Sequence, residues 1–594
     1  MANSNRPQSV TAAARLPPRR LAATVQIAAW LGAAWSLVAA PAAATAQPAR
    51  YELGRRVRAM EETWETQRDP SIRRAALPPI QRAVENFFAL RLPAAARELD
   101  EARLVLEGHI PRSDTPATAE QQRDLAARRW SAALSFEPTR RLLDPRAETH
   151  LDVELRHFYP VPQPSAEQIR VVLTLRAADG QTLATAALDA RADAPAPMNA
   201  TETNSDVKSA TPPAAKSKPP VDARTEWRRV ARVPLNASMA DQDCRLEAAA
   251  VVDRDSYPLG STAIALATEL AERLAVLRES PPRPRSENQL TLQEHLRVLE
   301  ALAGGRTLET DYPAHRLLVE ATRSHALKAD LAVEDATGTP KADSTPKATG
   351  ALKAADGTRL AAGQHWRAIV GAADSSCLLR LLIPTGSAEK AAEKAAEKGS
   401  EKAAEQAAER RPLVVAVHGA GGSENMFFDA YGAGKIARLC ESRGWLLAAP
   451  RQGLWGGIGI QWDELVAGVD RLAPVDPARV YLVGHSLGAM QAARLADTAE
   501  RKPAFVAALG GGGRVNRFER LLDVPFFIGV GDQDFGRGGG KQLADLLRRG
   551  GIRDVRFREY PDTEHLTIVQ VALEDIFQQL DERDTALRRV STSR

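Results

Sequence analysis

Cysteine is scarce: Cys244, Cys377 and Cys440 are the only three in 594 residues. So small and odd a number describes no disulfide framework. CxxC and HExxH are also absent, which removes the usual zinc-site spacings. No metal and no cofactor is expected. Nucleic-acid binding has no footprint either, because no dense Lys/Arg patch with interleaved aromatics occurs. Charge of one sign does not dominate: 79 basic against 75 acidic residues give a net +4, too near balance to select a partner.

Long apolar runs are missing too, with one exception. Arg6, Arg15, Arg19 and Arg20 precede the uncharged, apolar stretch Leu21 to Ala40, and Ala44-Thr45-Ala46 follows as a small-x-small pattern before Gln47. This order reads as an export signal over 1–46, giving a secreted or periplasmic protein. The alternative is a retained N-terminal membrane tether, since the stretch nearly spans a bilayer.

The rest divides by composition. Residues 47–149 read as a helical region, in which Leu92, Ala95, Leu99, Ala102 and Leu106 recur every three or four positions. A small β-rich domain is expected over 150–262. Leu151–Leu155 and Ile169–Leu175 alternate apolar and polar residues, and Asp179-Gly180 follows as a hairpin turn would. Within it, the Pro/Ala/Ser/Lys-rich stretch 194–222 lacks the apolar content to pack. A helical segment over 263–333 and a linker over 334–357 come next. The remainder, 358–590, carries a Glu/Lys/Ala repeat at 387–411. That repeat stacks like charges at i,i+4, so it reads as a solvated insertion. The strand-like runs on either side of it, from Cys377 and from Leu413, are expected to be sheet neighbours.

From Pro412 onward, short apolar runs alternate with amphipathic stretches, the pattern of a mostly parallel sheet between helices. Gly484-His485-Ser486-Leu487-Gly488 directly follows the run Arg479–Val483 and precedes a helix-forming stretch. In that strand–turn–helix setting a G-x-S-x-G motif is a strong signal. Its glycines clear space for a tight turn that lifts the serine hydroxyl above the sheet. His418-Gly419-Ala420-Gly421-Gly422 closes the Leu413 run. Its glycines let a backbone N–H face a developing oxyanion, with Ala420 the first choice, Gly421 the next and Leu487 the second donor. His418 reads as structural. Past Ser486 the only histidine is His565, so it is the expected general base. The acid belongs beyond the run Val524–Val530, where Asp532 and Asp534 both qualify. Asp534 is preferred, because Asp532 is better placed to brace the turn, and Asp562 lies too close to His565 along the chain. The Gly-rich stretch Gly453–Glu464 reads as a flexible loop whose Trp462 either lines a substrate pocket or packs against a neighbouring helix.

On Leu413–Ser423, Val475–Ala489, Gly531–Asp534 and His565, residues 358–590 resemble the α/β-hydrolase superfamily. The likeness is to its secreted polyhydroxybutyrate-depolymerase and feruloyl-esterase-like serine esterases. The resemblance implies Ser486 as nucleophile, Asp534 and His565 as its partners, and Ala420 and Leu487 as oxyanion donors. The implied activity is ester hydrolysis through an acyl-enzyme. Ala489 replaces a glycine frequent in such enzymes, and Phe535-Gly-Arg-Gly-Gly-Gly departs from the usual continuation after the acid. A prolyl-oligopeptidase-like peptidase shares the triad order, but no propeller-blade repeat precedes the motif. A non-catalytic binding module has no need of all three residues.

Overall fold

The computed structural model describes residues 43–110, 117–191, 227–279, 286–335, 359–372, 375–385, 410–453 and 457–592. The apolar stretch Leu21 to Ala40 and the 194–222 insertion lie outside them. So do nearly all of the 334–357 linker and of the 387–411 repeat.

Three helices come first: α1 (Ala43–Thr66), α2 (Pro70–Phe88) and α3 (Leu92–Leu106). The Asp69 side chain accepts the Ser71 N–H and Pro70 occupies the first position, so α2 starts on a capped, pre-set turn. The apolar stripe of α3 buries Ala95, Leu99, Ala102 and Leu106 against Met60, Trp64 and Ile80. Helix α4 (Ala119–Ala133) opens with a Thr118/Gln121 capping box and passes directly into β1 (Leu134–Pro138). The helical region thus ends earlier than 149.

Strands β2 (Leu142–Leu143), β3 (His150–His157), β4 (Ile169–Ala177), β5 (Thr182–Asp189), β6 (Arg228–Pro234), β7 (Gln242–Val252) and β8 (Asp255–Leu266) follow. They form two sheets, ordered β1-β3-β6 and β2-β8-β7-β4-β5. Alternate residues point inward, and Phe136, Leu155, Leu173 and Leu246 share one core between the sheets. Helices α5 (Leu270–Arg278), α6 (Glu287–Ala303) and α7 (Ala314–Asp335) bridge to the last unit.

That unit is built on an eight-stranded sheet. Its strands are β9 (Gly363–Val370), β10 (Ser376–Ile383), β11 (Arg411–Val417), β12 (Leu446–Pro450), β13 (Val475–His485), β14 (Phe505–Leu509), β15 (Phe526–Gly531) and β16 (Val555–Tyr560). The spatial order is β16-β15-β14-β13-β11-β12-β10-β9. Strand β12 therefore separates β10 from β11, which are not neighbours as expected. β10 pairs antiparallel with β9 and β12, and the strands from β12 to β16 run parallel. β14 and β15 are buried along their whole length because helices cover both faces. On one face lie α10 (Trp462–Leu472), α11 (Leu487–Thr498) and α12 (Arg537–Arg549). On the other lie α9 (Lys435–Arg443) and α13 (Ile568–Thr592). The short α8 (Met426–Asp429) precedes α9.

Helix α1 docks on this unit at the turn Tyr431–Gly434. Arg58 Nε donates to the Asp429 carbonyl (3.0 Å), Lys435 pairs with Glu65 (3.0 Å), and the Ala433 N–H donates to the Glu61 carboxyl (3.2 Å). Glu61 is fully buried, and its other oxygen has no partner among the described residues. Burial first, and the nearby Glu564 second among the raising causes, push its pKa well above the carboxylate range. The folded state therefore binds this proton more tightly than the unfolded one. Its contribution is complete below about pH 4.5 and is lost as pH rises toward the folded pKa. Glu61→Gln should raise Tm at pH 8 more than at pH 5, as scanning calorimetry would read directly.

Candidate active site

Strand β13 delivers Ser486 to the C-terminal edge of the parallel strands, where open α/β sheets form ligand sites. The serine adopts φ 58°, ψ −117°, a strained turn between β13 and α11, held by its N–H on the Leu509 carbonyl (2.8 Å). The flanking glycines are compelled by contact. A Cβ at Gly484 would meet the Gly488 carbonyl oxygen at 2.1 Å, and one at Gly488 would meet that of Val417 at 1.9 Å. Gly488→Ala should lower stability by about 1–3 kcal/mol or more through overpacking. Gly538→Ala, whose Cβ meets nothing within 4 Å, should cost nothing. Urea midpoints of the two variants check this.

One chain of hydrogen bonds leaves Ser486. Its Oγ lies 3.0 Å from His565 Nε2, and His565 Nδ1 lies 2.8 Å from Asp534 Oδ1. Asp534 is buried and also accepts the Gly536 N–H (2.6 Å). Burial works to raise its pKa, but the hydrogen bond and charge of His565 outweigh it and hold the carboxyl below its ordinary value. Asp532 instead accepts the Thr563 N–H (3.2 Å) and braces the turn, while Asp562 pairs with the exposed Arg74 (2.6 Å). Such a chain can draw a proton from the serine hydroxyl and hold the resulting imidazolium.

Neighbouring histidines brace this chain. His485 Nε2–H donates to the His565 carbonyl (2.9 Å), and burial, with His565 next, pulls its pKa down to about 3, so the ring is neutral. His418 Nδ1 contacts the Gly419 carbonyl (2.8 Å), and its Nε2 accepts the Gln452 N–H (3.2 Å). Burial lowers its pKa too. Both nitrogens are spent on backbone, so His418 organises the loop.

Ala420 lines the same cavity as Ser486 and His565, and Leu487 is the first residue of α11. Among the described residues neither N–H has a hydrogen-bond partner, so both are free to donate to a ligand. The neighbouring Gly419 N–H is taken by Tyr431 Oη (3.2 Å). Tyr431 packs edge-on against His485 with centroids 4.8 Å apart, and so fixes the loop against the serine turn. No short motif announces this tyrosine.

Trp462 is not at the site. It is buried at the start of α10, its indole N–H donates to the Arg501 carbonyl (2.9 Å), and its ring belongs to the core beneath the sheet. From Trp462 the expected loop is helix, with Asp463 receiving the N–H groups of Glu500 and Arg501. Trp455 lies outside the described residues.

The aromatic wall comes instead from the N-terminal helices. A cavity of about 190 Å³ runs from Ser486 between the glycine loop and α1–α3, with Leu53, Val57, Val84, Phe87 and Phe88 on its apolar side. The Phe87 ring stands over Gly421, where a Cβ would approach it to 3.7 Å. Phe535, mostly exposed, lies 3.9 Å from the His565 ring and meets Phe88 edge-on at 5.8 Å. The unusual continuation after Asp534 thus places an aromatic cover on His565. The Ser486–His565–Asp534 chain and this pocket wall come from opposite ends of the sequence.

The model of the family described as "Alpha/beta hydrolase family" matches residues 414–591. No curated protein matches the chain. Among solved structures, a ferulic acid esterase is 14% identical with a TM-score of 0.30, over 37% of this chain and 98% of its own. An S-formylglutathione hydrolase from Staphylococcus aureus is 14% identical with a TM-score of 0.27, over 37% and 99%. Esterase PE8 is 21% identical with a TM-score of 0.24, over 29% and 93%.

Proposed function

We propose that this chain, whose C-terminal region is an α/β-hydrolase domain, is a serine hydrolase that cleaves carboxylic esters through an acyl-enzyme on Ser486. The observation that carries the reading is the Ser486–His565–Asp534 hydrogen-bond chain, whose serine and histidine line a cavity with aromatic and aliphatic residues in its wall. Ser486 Oγ attacks the carbonyl carbon as its proton passes to His565 Nε2. The Ala420 and Leu487 N–H groups receive the oxyanion, and the carbonyl re-forms as the C–O bond to the alcohol breaks. His565 returns its proton to the departing alcohol, then draws one from water, which releases the acid and restores the serine. Asp534 stays ionised and steadies the imidazolium.

Turnover of p-nitrophenyl acetate and of a longer acyl ester, lost in Ser486→Ala, is the expected result. Cleavage of a dipeptidyl anilide in preference to both esters would favour a peptidase. Absence of all turnover together with absence of fluorophosphonate labelling would defeat both enzyme readings.

The cavity is smaller than the ~300–1,000 Å³ of sites for drug-sized ligands, which suits a short acyl or aryl group. Phe87→Ala should lower kcat/KM on p-nitrophenyl hexanoate by about ten-fold, equivalent to the burial of one or two CH₂ groups. The loss on the acetate should be smaller, as paired initial-rate measurements would show.

Export is part of this proposal, resting on Arg6 to Arg20, the apolar Leu21 to Ala40 and Ala44-Thr45-Ala46. Among the described residues no helix is long and apolar enough to cross a membrane. N-terminal sequencing of the native protein should find Gln47. A start upstream of it, in the membrane fraction, would indicate a tether.

A further inference from the structure

The cavity beside Ser486 is not wholly apolar. Its lining also includes Arg50, Arg55, Arg58, Glu309, Asp311 and Asp429. Most of these charges are already answered. Arg55 pairs with Glu52 (2.9 Å). Asp429 accepts Arg380 and Thr310, each at 2.8 Å. Asp311 accepts the Tyr51 hydroxyl (2.8 Å) and that of Thr262 (3.1 Å). Glu309 is buried, which pushes its pKa up, against the lowering influence of Ser423, Arg451 and Arg50.

Two groups are left over. Arg50 makes no hydrogen bond or close ion pair among the described residues, and its charge reaches only the buried Glu309 at longer range. Arg58 spends only Nε, on the Asp429 carbonyl, and keeps both terminal nitrogens free. They stand eight residues apart on α1, about 12 Å at 1.5 Å per residue, on the same helix face. Gly54 sits midway and brings no side chain between them; a Cβ there would be in van der Waals contact with the Glu309 carbonyl oxygen, at 3.8 Å. Arg58 is the nearer to the chemistry. It grips Asp429, two residues before Tyr431, which holds the glycine loop beside the serine. Partly buried guanidiniums that line a cavity with no carboxylate in direct ion-pair contact can receive one from a ligand.

We infer that α1 supplies an anion subsite to the cavity, and that the substrate is an ester carrying a carboxylate at the end remote from the scissile bond. Its apolar middle lies against Val57, Val84 and Phe87, and its carboxylate reaches the Arg50–Arg58 strip. This rests on the ester-hydrolase reading for the chemistry but not for the binding, and the two are separable.

The test uses the full chain with two probes of equal length, p-nitrophenyl hexanoate and the p-nitrophenyl monoester of adipic acid. The wild type should favour the anionic ester through KM, and added salt should erode that preference. Arg50→Gln and Arg58→Gln should each lose roughly ten-fold more kcat/KM on the anionic ester than on the neutral one. In parallel, calorimetry on the Ser486→Ala protein should find monomethyl adipate binding more tightly than methyl hexanoate, with the difference abolished by the arginine changes. Equal handling of the two esters, or arginine variants that lower both alike, would overturn the subsite. If monomethyl adipate binds in an arginine-dependent way but no ester turns over, the subsite stands and the ester reading falls.

Discussion

Ser486→Ala should reduce ester turnover by at least about 10³-fold while leaving the thermal transition within a degree of the parent. The kinetic part follows because removing the nucleophile removes the acyl-enzyme route. What survives is the residual assistance that binding and oxyanion donors give to direct attack by water. The stability part follows from the local contacts. The hydroxyl's one hydrogen bond is to His565; the turn itself is held by the Ser486 N–H on the Leu509 carbonyl and by the glycine contacts, and neither of these needs the hydroxyl. Alanine meets the same φ of 58° that serine already tolerates. Initial rates and a calorimetric scan on matched samples check both parts. A variant retaining a tenth of the parent activity would remove Ser486 from the chemistry.

The second large effect separates two aspartates that the sequence leaves side by side. Asp534→Asn should reduce kcat by about 10³–10⁴-fold, because an amide cannot hold the imidazole in the orientation and tautomer that accept the serine proton. Asp532→Asn should leave kcat within about three-fold, since Asp532 serves only the Thr563 N–H. Stability carries an independent signature. The folded-state pKa of Asp534 is depressed, so its contribution is present above the ordinary carboxylate pKa and is lost as pH falls through the folded value. Asp534→Asn should therefore flatten the acid side of the Tm–pH curve. Equal kinetic losses in the two variants would contradict the geometry.

How much of this was legible in the sequence depended on how local the signal was. The parallel sheet was readable because β14 and β15, covered on both faces, must be apolar throughout. Ser486 was readable because a strained turn between strand and helix demands glycines at fixed offsets, and the contacts at Gly484 and Gly488 show that demand. His565 followed by elimination. What failed was long-range. Whether β10 lies beside β11 or beyond β12 depends on the sheet order, which no local pattern encodes. The glycines around Trp462 suggest a loop with a pocket aromatic, yet Trp462 is the buried first residue of a helix. Phe87, Phe88, Arg50 and Arg58 lie on amphipathic helices over three hundred residues before the serine. Their periodicity identifies a buried face, and only the fold says that the face meets a glycine loop.

The central claim is that Ser486 becomes acylated, and the burst phase measures it most directly. Full-length protein mixed with p-nitrophenyl acetate should release one equivalent of p-nitrophenolate per active site faster than steady state. Mass analysis of the acid-quenched sample should place one acetyl group on the peptide carrying Ser486. A linear time course with no burst and an unmodified Ser486, in a sample that nonetheless turns the ester over, would contradict the account.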